Sequence, residues 1–262
     1  MLAQRVAAAV IGVPLIFLII LAGGGVYAGA VAAAVAVAAI EFEHPRHGWV
    51  SVQGVVVAAA CAAIAGTAHA GADHVIWALG AGALGTLAVT VGTYRDGERA
   101  LGDWTWTAGA LLYAGLLGSF LVLVRDLPDG RDWAYLVVFS TFATDTAAYF
   151  VGRAIGRRKL APAISPGKTV EGAFGALAGG FAAVLLLNYF LGLRVDGGKM
   201  AVLAVALPVA AVIGDLAESA LKRGMRIKDA SELIPGHGGV LDRLDSMLFT
   251  FAVTYLFVQW AL

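Results

Sequence analysis

Cysteine is almost missing from these 262 residues. Cys61 stands alone, which excludes an internal disulfide and any metal site built from several thiolates. Charge is scarce too: Asp, Glu, Lys and Arg make up 14% of the chain, against roughly 25% in an ordinary soluble domain. Neither sign prevails, with 18 acidic residues against 18 basic ones, so net charge gives no reason to expect a nucleic-acid partner. What fills the space is apolar, at 60% of all residues. The apolar runs lack alternation and exceed a barrel strand in length, which excludes a membrane β-barrel. No internal repeat or inverted hydropathy symmetry is evident, which argues against the paired halves of a secondary transporter. No A-x-A pattern closes the first run near Leu21, so that run is expected to stay as a span and not to be removed as a signal peptide.

Spans of about 20 residues then divide the chain. Nine candidates follow, at residues 6–21, 26–40, 50–66, 75–92, 107–124, 133–151, 173–193, 200–217 and 247–262. The expected fold is an all-α, polytopic integral membrane helical bundle of about nine transmembrane helices. With the N-terminus in the cytoplasm, the inner segments carry 14 Lys and Arg residues and the outer loops carry four, Arg125, Arg131, Arg194 and Lys199. That asymmetry follows the positive-inside rule and puts the two most charged loops, 152–172 and 218–246, together on the cytoplasmic side. Trp104, Trp106, Trp133 and Trp260 sit near span ends, where indole favours the interface. Gly175-x-x-x-Gly179 lets helices approach closely, either within the chain or across a homodimer contact.

Charge is concentrated between Gly214 and Ser246, where 11 of the 36 ionisable Asp, Glu, Lys and Arg residues fall within 33 positions. Acids and bases beside membrane spans are costly, which marks a functional site. If the eighth span continues as helix, Asp215, Ser219, Lys222 and Arg226 share one face at spacings of four, three and four. The plain alternative is a snorkelling basic helix end with an ion-paired Asp. Asp242 and Asp245, at i and i+3, also share a face. With Asp215 they form a carboxylate set of the kind Mg²⁺ takes with substrate phosphates; helix capping and pairing with Arg243 are the alternative uses. Between these acids, Pro235-Gly236-His237-Gly238-Gly239 is either a tight turn or a glycine-rich cradle in which backbone N–H groups and His237 meet a phosphate.

The other cytoplasmic cluster reads Ser165-Pro166-Gly167-Lys168-Thr169-Val170-Glu171-Gly172. It ends like a phosphate-binding P-loop, but Pro162 occupies the required earlier glycine position and no strand is expected before it. Ser165, Lys168 and Thr169 are read instead as the opening of a helix suited to an anion. Upstream, Asp145 lies inside the sixth span with Tyr149, Gly152 and Arg153 following, and a buried Asp there implies a partner in the same polar pocket. His44 and His47 have metal-like spacing, but Pro45 between them predicts a loop; His69 and His74 carry no signal.

Ser219-x-x-Lys222-Arg223, Lys228-Asp229 and His237-Gly238-Gly239-x-x-Asp242-Arg243-x-Asp245 together resemble the signature of the phosphatidate cytidylyltransferases, or CDP-diacylglycerol synthases. Ser165-Pro166-x-Lys168-Thr169-x-Glu171-Gly172 and Asp145-x-x-Ala148-Tyr149-x-x-Gly152-Arg153 look like that family's other cytoplasmic motifs. The resemblance covers mainly residues 140–250. It implies a C-terminal catalytic membrane region, 131–262, behind N-terminal membrane helices, 1–130, that match only as hydrophobic spans. Gly167 departs from the pattern, since relatives often carry lysine there; one cation is lost, and Lys168 is kept.

The resemblance implies transfer of CMP from CTP to phosphatidic acid, with pyrophosphate leaving. The implied metal ligands are Asp215 and Asp242, with Asp245 as helper, for Mg²⁺, and K⁺ as a second cation. Lys222, Arg223, Lys228 and Arg243 are expected on phosphates; Asp145, Ser165, Lys168, Thr169, Glu171, Ser219, Asp229, His237, Gly238 and Gly239 complete the expected substrate site. A CTP-dependent polyprenol kinase is the nearest enzyme alternative, and a secondary transporter the non-enzyme one. The expected location is the bacterial inner (plasma) membrane, multi-pass, with the active site facing the cytoplasm.

Overall fold

The computed structural model describes residues 2–94, 97–234 and 238–262. The chain forms two units, Met1–Asp126 with Asp229–Arg243, and Leu127–Lys228 with Leu244–Leu262. Among the described residues, eight helices are long and apolar enough to cross a membrane, and Val10–Ala22 adds a shorter apolar one. These correspond to the nine spans expected from the apolar runs, so the protein is an all-α polytopic bundle.

In the first unit the helices are α1 (Leu2–Ala22), α2 (Gly24–His47), α3 (Val52–Thr67), α4 (Ala72–Gly92), α5 (Gly97–Ala110) and α6 (Leu117–Arg125), with a π-helical stretch Leu111–Leu116 joining the last two. Gly23 separates α1 from α2 at a positive φ of 63°, and a β-carbon there would collide with the Arg125 guanidinium. Arg125 uses that space to donate from Nε to the Ile20 carbonyl at 2.8 Å, answering one of the orphan carbonyls at the end of α1. Ser51 caps α3 by accepting from the Gly54 amide at 3.0 Å. The core is small and aliphatic: Val35, Ala38, Ala39, Val57, Cys61, Ile64 and Val122 are fully buried. The thiol of Cys61 acts there as a packing group, as a lone buried cysteine usually does.

The second unit comprises α7 (Gly130–Ile155), a two-stranded antiparallel hairpin of β1 (Lys159–Ala161) and β2 (Ser165–Thr169), α8 (Val170–Leu191), α9 (Gly197–Gly224) and most of α10 (Leu241–Ala261). Asp196 caps α9 by accepting from the Gly198 and Lys199 amides at 2.9 and 3.2 Å. Buried hydroxyls return to their own helices, as when Ser140, Thr141 and Thr144 donate to carbonyls one turn back, and Thr141 also reaches Thr250 on α10 at 3.2 Å. Lipid offers such groups no partner, so the chain supplies one.

Glycine lets α8 lie close on α7. A β-carbon on Gly175 would stand 2.6 Å from Val151, and one on Gly179 would strike Ala147. The Gly175-x-x-x-Gly179 face is therefore filled within the chain, the first of its two sequence-level uses.

Two local expectations need correction. The His44–His47 segment is not a loop: α2 runs through Pro45 and closes when the Gly48 amide donates to the His44 carbonyl at 2.9 Å. Pro45 gives up the bond an N–H would make to the Glu41 carbonyl, and the helix ends within a turn of it. Nor is Asp145 a buried span residue, for it is exposed on α7. The helix turns Thr141 and Thr144 inward and Asp145 outward.

Gly175→Val is expected to lower stability by roughly 1–3 kcal/mol through overpacking against α7. Thermal unfolding of purified protein in detergent checks it, with Gly85→Ala as control because nothing lies within 4 Å of that site. Equal melting temperatures for the two variants would contradict the packing argument.

Candidate active site

Site residues of the second unit gather on the hairpin and the last three turns of α9. The short β1–β2 pairing, with Lys159 opposite Thr169 and Ala161 opposite Ser165, turns the 159–169 segment back on itself. Ser165 and Lys168 thus sit on a strand, and the sequence expectation of a helix opening holds only for Thr169. Thr169 is the N-cap of α8, its hydroxyl accepting from the Gly172 amide at 3.1 Å. It is buried, and β-carbons on Gly152, Gly156 or Gly172 would each come within 3.1 Å of that hydroxyl. Glu171 accepts from the Arg157 amide at 3.0 Å and the Arg158 amide at 3.2 Å, tying the entry of the hairpin to α8. These two side chains hold the hairpin in place and present Lys168.

Lys168 Nζ meets Asp215 Oδ2 at 2.6 Å, with about a third of the Asp215 side chain exposed (34%). This ion pair joins the hairpin motif to α9, which the sequence could only place on the same side of the membrane. Because α9 is unbroken to Gly224, Asp215, Ser219 and Lys222 share one face as expected. Arg226 does not continue the row. It lies past the helix end at φ 60°, where Ile227 N–H returns to the Lys222 carbonyl at 3.0 Å and Arg226 N–H to the Arg223 carbonyl at 3.1 Å. That left-handed closure usually employs glycine, and arginine there costs about 1 kcal/mol. Arg223 bridges to the hairpin, its Nε donating to the Ile164 carbonyl at 3.1 Å.

Glu218 was not singled out from the sequence. It is 1% exposed, and its Oε2 holds Lys222 Nζ at 2.7 Å. The available signal was its spacing, three residues after Asp215 and four before Lys222. Two lysines, Lys168 and Lys222, are therefore each steered by a carboxylate of α9.

Gly214 sets where α9 meets α10. A β-carbon on it would stand 2.7 Å from the Asp245 carbonyl oxygen and 3.1 Å from the Ser246 Cα. Asp215 and Asp245 thus come from helices in direct contact. Asp245 Oδ1 accepts from the Ser246 amide at 2.6 Å. Among the described residues no three His, Cys, Asp or Glu side chains group to hold a metal unaided. Mg²⁺ asks for less, one or two carboxylates with water and substrate phosphates completing its shell. Asp215 and Asp245 fit that requirement by donor type and by the contact of their helices. Arg153, Lys228 and Asp145 are exposed residues of the same unit. A β-carbon on Gly167 would meet nothing within 4 Å, so a larger side chain has room to start there.

In the first unit, Asp242 begins α10. Its Oδ2 accepts from the Ala230 amide at 3.0 Å and the Gly239 amide at 2.7 Å. Gly238 (φ 82°) makes that closure possible, since a β-carbon there would stand 2.5 Å from the same oxygen. The Gly239 amide, which the sequence offered to a phosphate, is engaged by this carboxylate. Asp229 and Arg243 are exposed at the two ends of the segment, and His237 lies outside the described residues. The structure also brings in Glu41 and Glu43, two acids of α2 that sequence reasoning passed over. Glu43 is fully buried and its Oε2 lies 2.5 Å from His47 Nδ1. Glu41 joins the Asp242 loop. Two glutamates ending an otherwise apolar span were the signal.

Comparison with known proteins adds a family. A model described as the cytidylyltransferase family matches residues 3–261. The chain is 44% identical over 153 residues to the phosphatidate cytidylyltransferase of Brucella suis, covering 58% of this chain and 56% of that protein. It is 37% identical over 147 residues to the one from Bacillus subtilis, covering 56% and 55%. With that of Haemophilus influenzae it shares 43% over 129 residues, 47% and 45% of the two lengths. The aligned part of the chain spans about half the length of these curated relatives.

Thr169→Val is expected to cost roughly 0.5–2 kcal/mol by removing the cap of α8. Gly167→Lys is expected to leave stability unchanged. Melting temperatures of the two purified variants decide the assignment, and a stable Thr169→Val protein would refute the capping role.

Proposed function

We propose a reaction for this chain, which belongs to the cytidylyltransferase family: CMP passes from CTP to phosphatidic acid, giving CDP-diacylglycerol and pyrophosphate. The observation that carries this reading is the Lys168–Asp215 pair, because it joins the hairpin to the Ser219 and Lys222 face of α9. Its protein relatives named phosphatidate cytidylyltransferase support the substrate pair.

In this reading a phosphatidate oxygen forms the new bond to the α-phosphorus of CTP. The bond from that phosphorus to the pyrophosphate oxygen breaks, and pyrophosphate leaves with the electron pair. The attacking oxygen is already ionised near neutral pH, since a phosphate monoester has a second pKa near 6. No side chain need remove a proton. The difficulty is bringing two polyanions together, and fixed cations answer it. Lys168 and Lys222 are held in place by Asp215 and Glu218 before substrate arrives. Ser219 between them offers a hydroxyl donor, while the exposed Lys228 and Arg243 offer charge to incoming phosphates.

Mg²⁺, bound by Asp215 and Asp245 with Asp242 as a further candidate, would neutralise charge on the CTP phosphates. K⁺ as a second cation belongs to the same proposal. The setting is the bacterial inner membrane with the site facing the cytoplasm, which 14 inner Lys and Arg residues against four outer ones support.

Purified protein given labelled CTP and phosphatidic acid should form liponucleotide and pyrophosphate, and only with Mg²⁺ present. Release of CDP would mark a lipid kinase instead. Asp215→Asn and Asp242→Asn are each expected to lower turnover on the order of 100-fold or more. Near-normal turnover in Asp215→Asn would remove it from the site. Lys168→Ala should weaken the use of one substrate, and unchanged kinetics for both would take the hairpin out of the reaction.

A further inference from the structure

The loop before α10 is closed by two carboxylates, one of them from the far end of the chain. Glu41, in the last two turns of α2, accepts from the Ser231 hydroxyl at 2.6 Å, the Val240 amide at 3.1 Å and the Leu241 amide at 2.7 Å. It is 1% exposed. Asp242 draws in the Ala230 and Gly239 amides from the same two stretches of chain. Residues 230–231 and 239–241 are thus stitched together twice, and the Ile234 amide donates to the Gly238 carbonyl at 2.9 Å between them.

A buried carboxylate is costly unless its oxygens are matched by donors. Glu41 has three, and two are amides at the start of α10 that no turn of that helix can satisfy. The N-terminal end of the α10 dipole favours a negative charge at the same place. Glu41 therefore caps α10 from another helix. Gly239 permits the approach, since a β-carbon there would stand 2.6 Å from both Glu41 oxygens. This gives the second glycine of the His-Gly-Gly run a physical reason that involves no ligand.

We infer that Glu41 is a positioning residue for the proposed transfer: by tying Ser231 to Val240 and Leu241 it fixes the start of α10, where Asp242 and Arg243 stand. The N-terminal helices then contribute to the chemistry through α2, beyond anchoring the chain. The role in turnover rests on the cytidylyltransfer reading; the clamp itself does not.

The test uses the full-length purified protein with Glu41→Gln, Glu41→Asp, Ser231→Ala and the double variant Glu41→Gln/Ser231→Ala. Hydrogen exchange of the Val240 and Leu241 amides should quicken about tenfold or more in Glu41→Gln, with α8 peptides unchanged. In the same variant kcat, counted per folded molecule from the fraction that keeps protected α8 peptides, should fall about tenfold or more while KM for CTP stays within about twofold; the normalisation separates this from a loss of folded protein. Ser231→Ala should act in the same direction more weakly, and the double variant should be no worse than Glu41→Gln, because the Ser231 hydroxyl donates into that carboxylate. Unaltered exchange at Val240 and Leu241 would overturn the clamp, and quicker exchange with unaltered kcat would overturn the positioning role. Should Glu41→Gln not fold, Glu41→Asp and Ser231→Ala decide on the same two readouts. If the wild-type protein forms no liponucleotide, the reaction proposed above fails while exchange still judges the clamp.

Discussion

An ionised side chain at the edge of an apolar helix cannot rely on water, so its partner has to come from somewhere else in the fold. In this protein that requirement shapes the chemically interesting regions of both units. Glu41 takes backbone amides from a loop nearly two hundred residues away in sequence, while Asp215 and Glu218 each take a lysine. The resulting pairs do two things together. They give partners to the buried carboxylates of Glu41 and Glu218, and they fix the direction in which cations and helix termini point. A polyanionic substrate then meets groups already oriented, which is where electrostatic catalysis gains most.

Much of the architecture was legible in sequence because lipid imposes a length on helices. Apolar runs of that length, cut by charged loops, left little freedom in the number of spans. Local detail was less legible where two physical rules compete. Pro45 reads as a helix breaker, yet α2 runs through it and ends only two residues later, at His47. Arg226 fits a helical row by arithmetic, but the backbone closes α9 two residues earlier. Asp145 reads as buried by its place in a span, although the turn of α7 that sinks Thr141 and Thr144 carries it outward.

The motif residues stand out in the sequence, whereas the contacts they make do not. Thr169 and Glu171 stand in a motif that suggests ligand contact, and the structure employs them in holding the hairpin to α8. Asp242 was expected to face a metal, and one of its oxygens gathers two loop amides. Glu41, Glu43 and Glu218 are hard to read from sequence because the partner of each is distant in the chain or hidden in a helix register. No pattern of spacing points from Glu41 to Ser231. Only the folded chain brings them within 2.6 Å.

The empty space over Gly167 has a consequence for how such a protein can vary. Its neighbours on the strand are constrained, Lys168 by Asp215 and Thr169 by the glycines packed around it. Position 167 is free to gain or shed a positive charge without disturbing the scaffold, which makes the middle of β2 a dial. Attraction for anions can be tuned there by one substitution, while the geometry beneath it stays as it was.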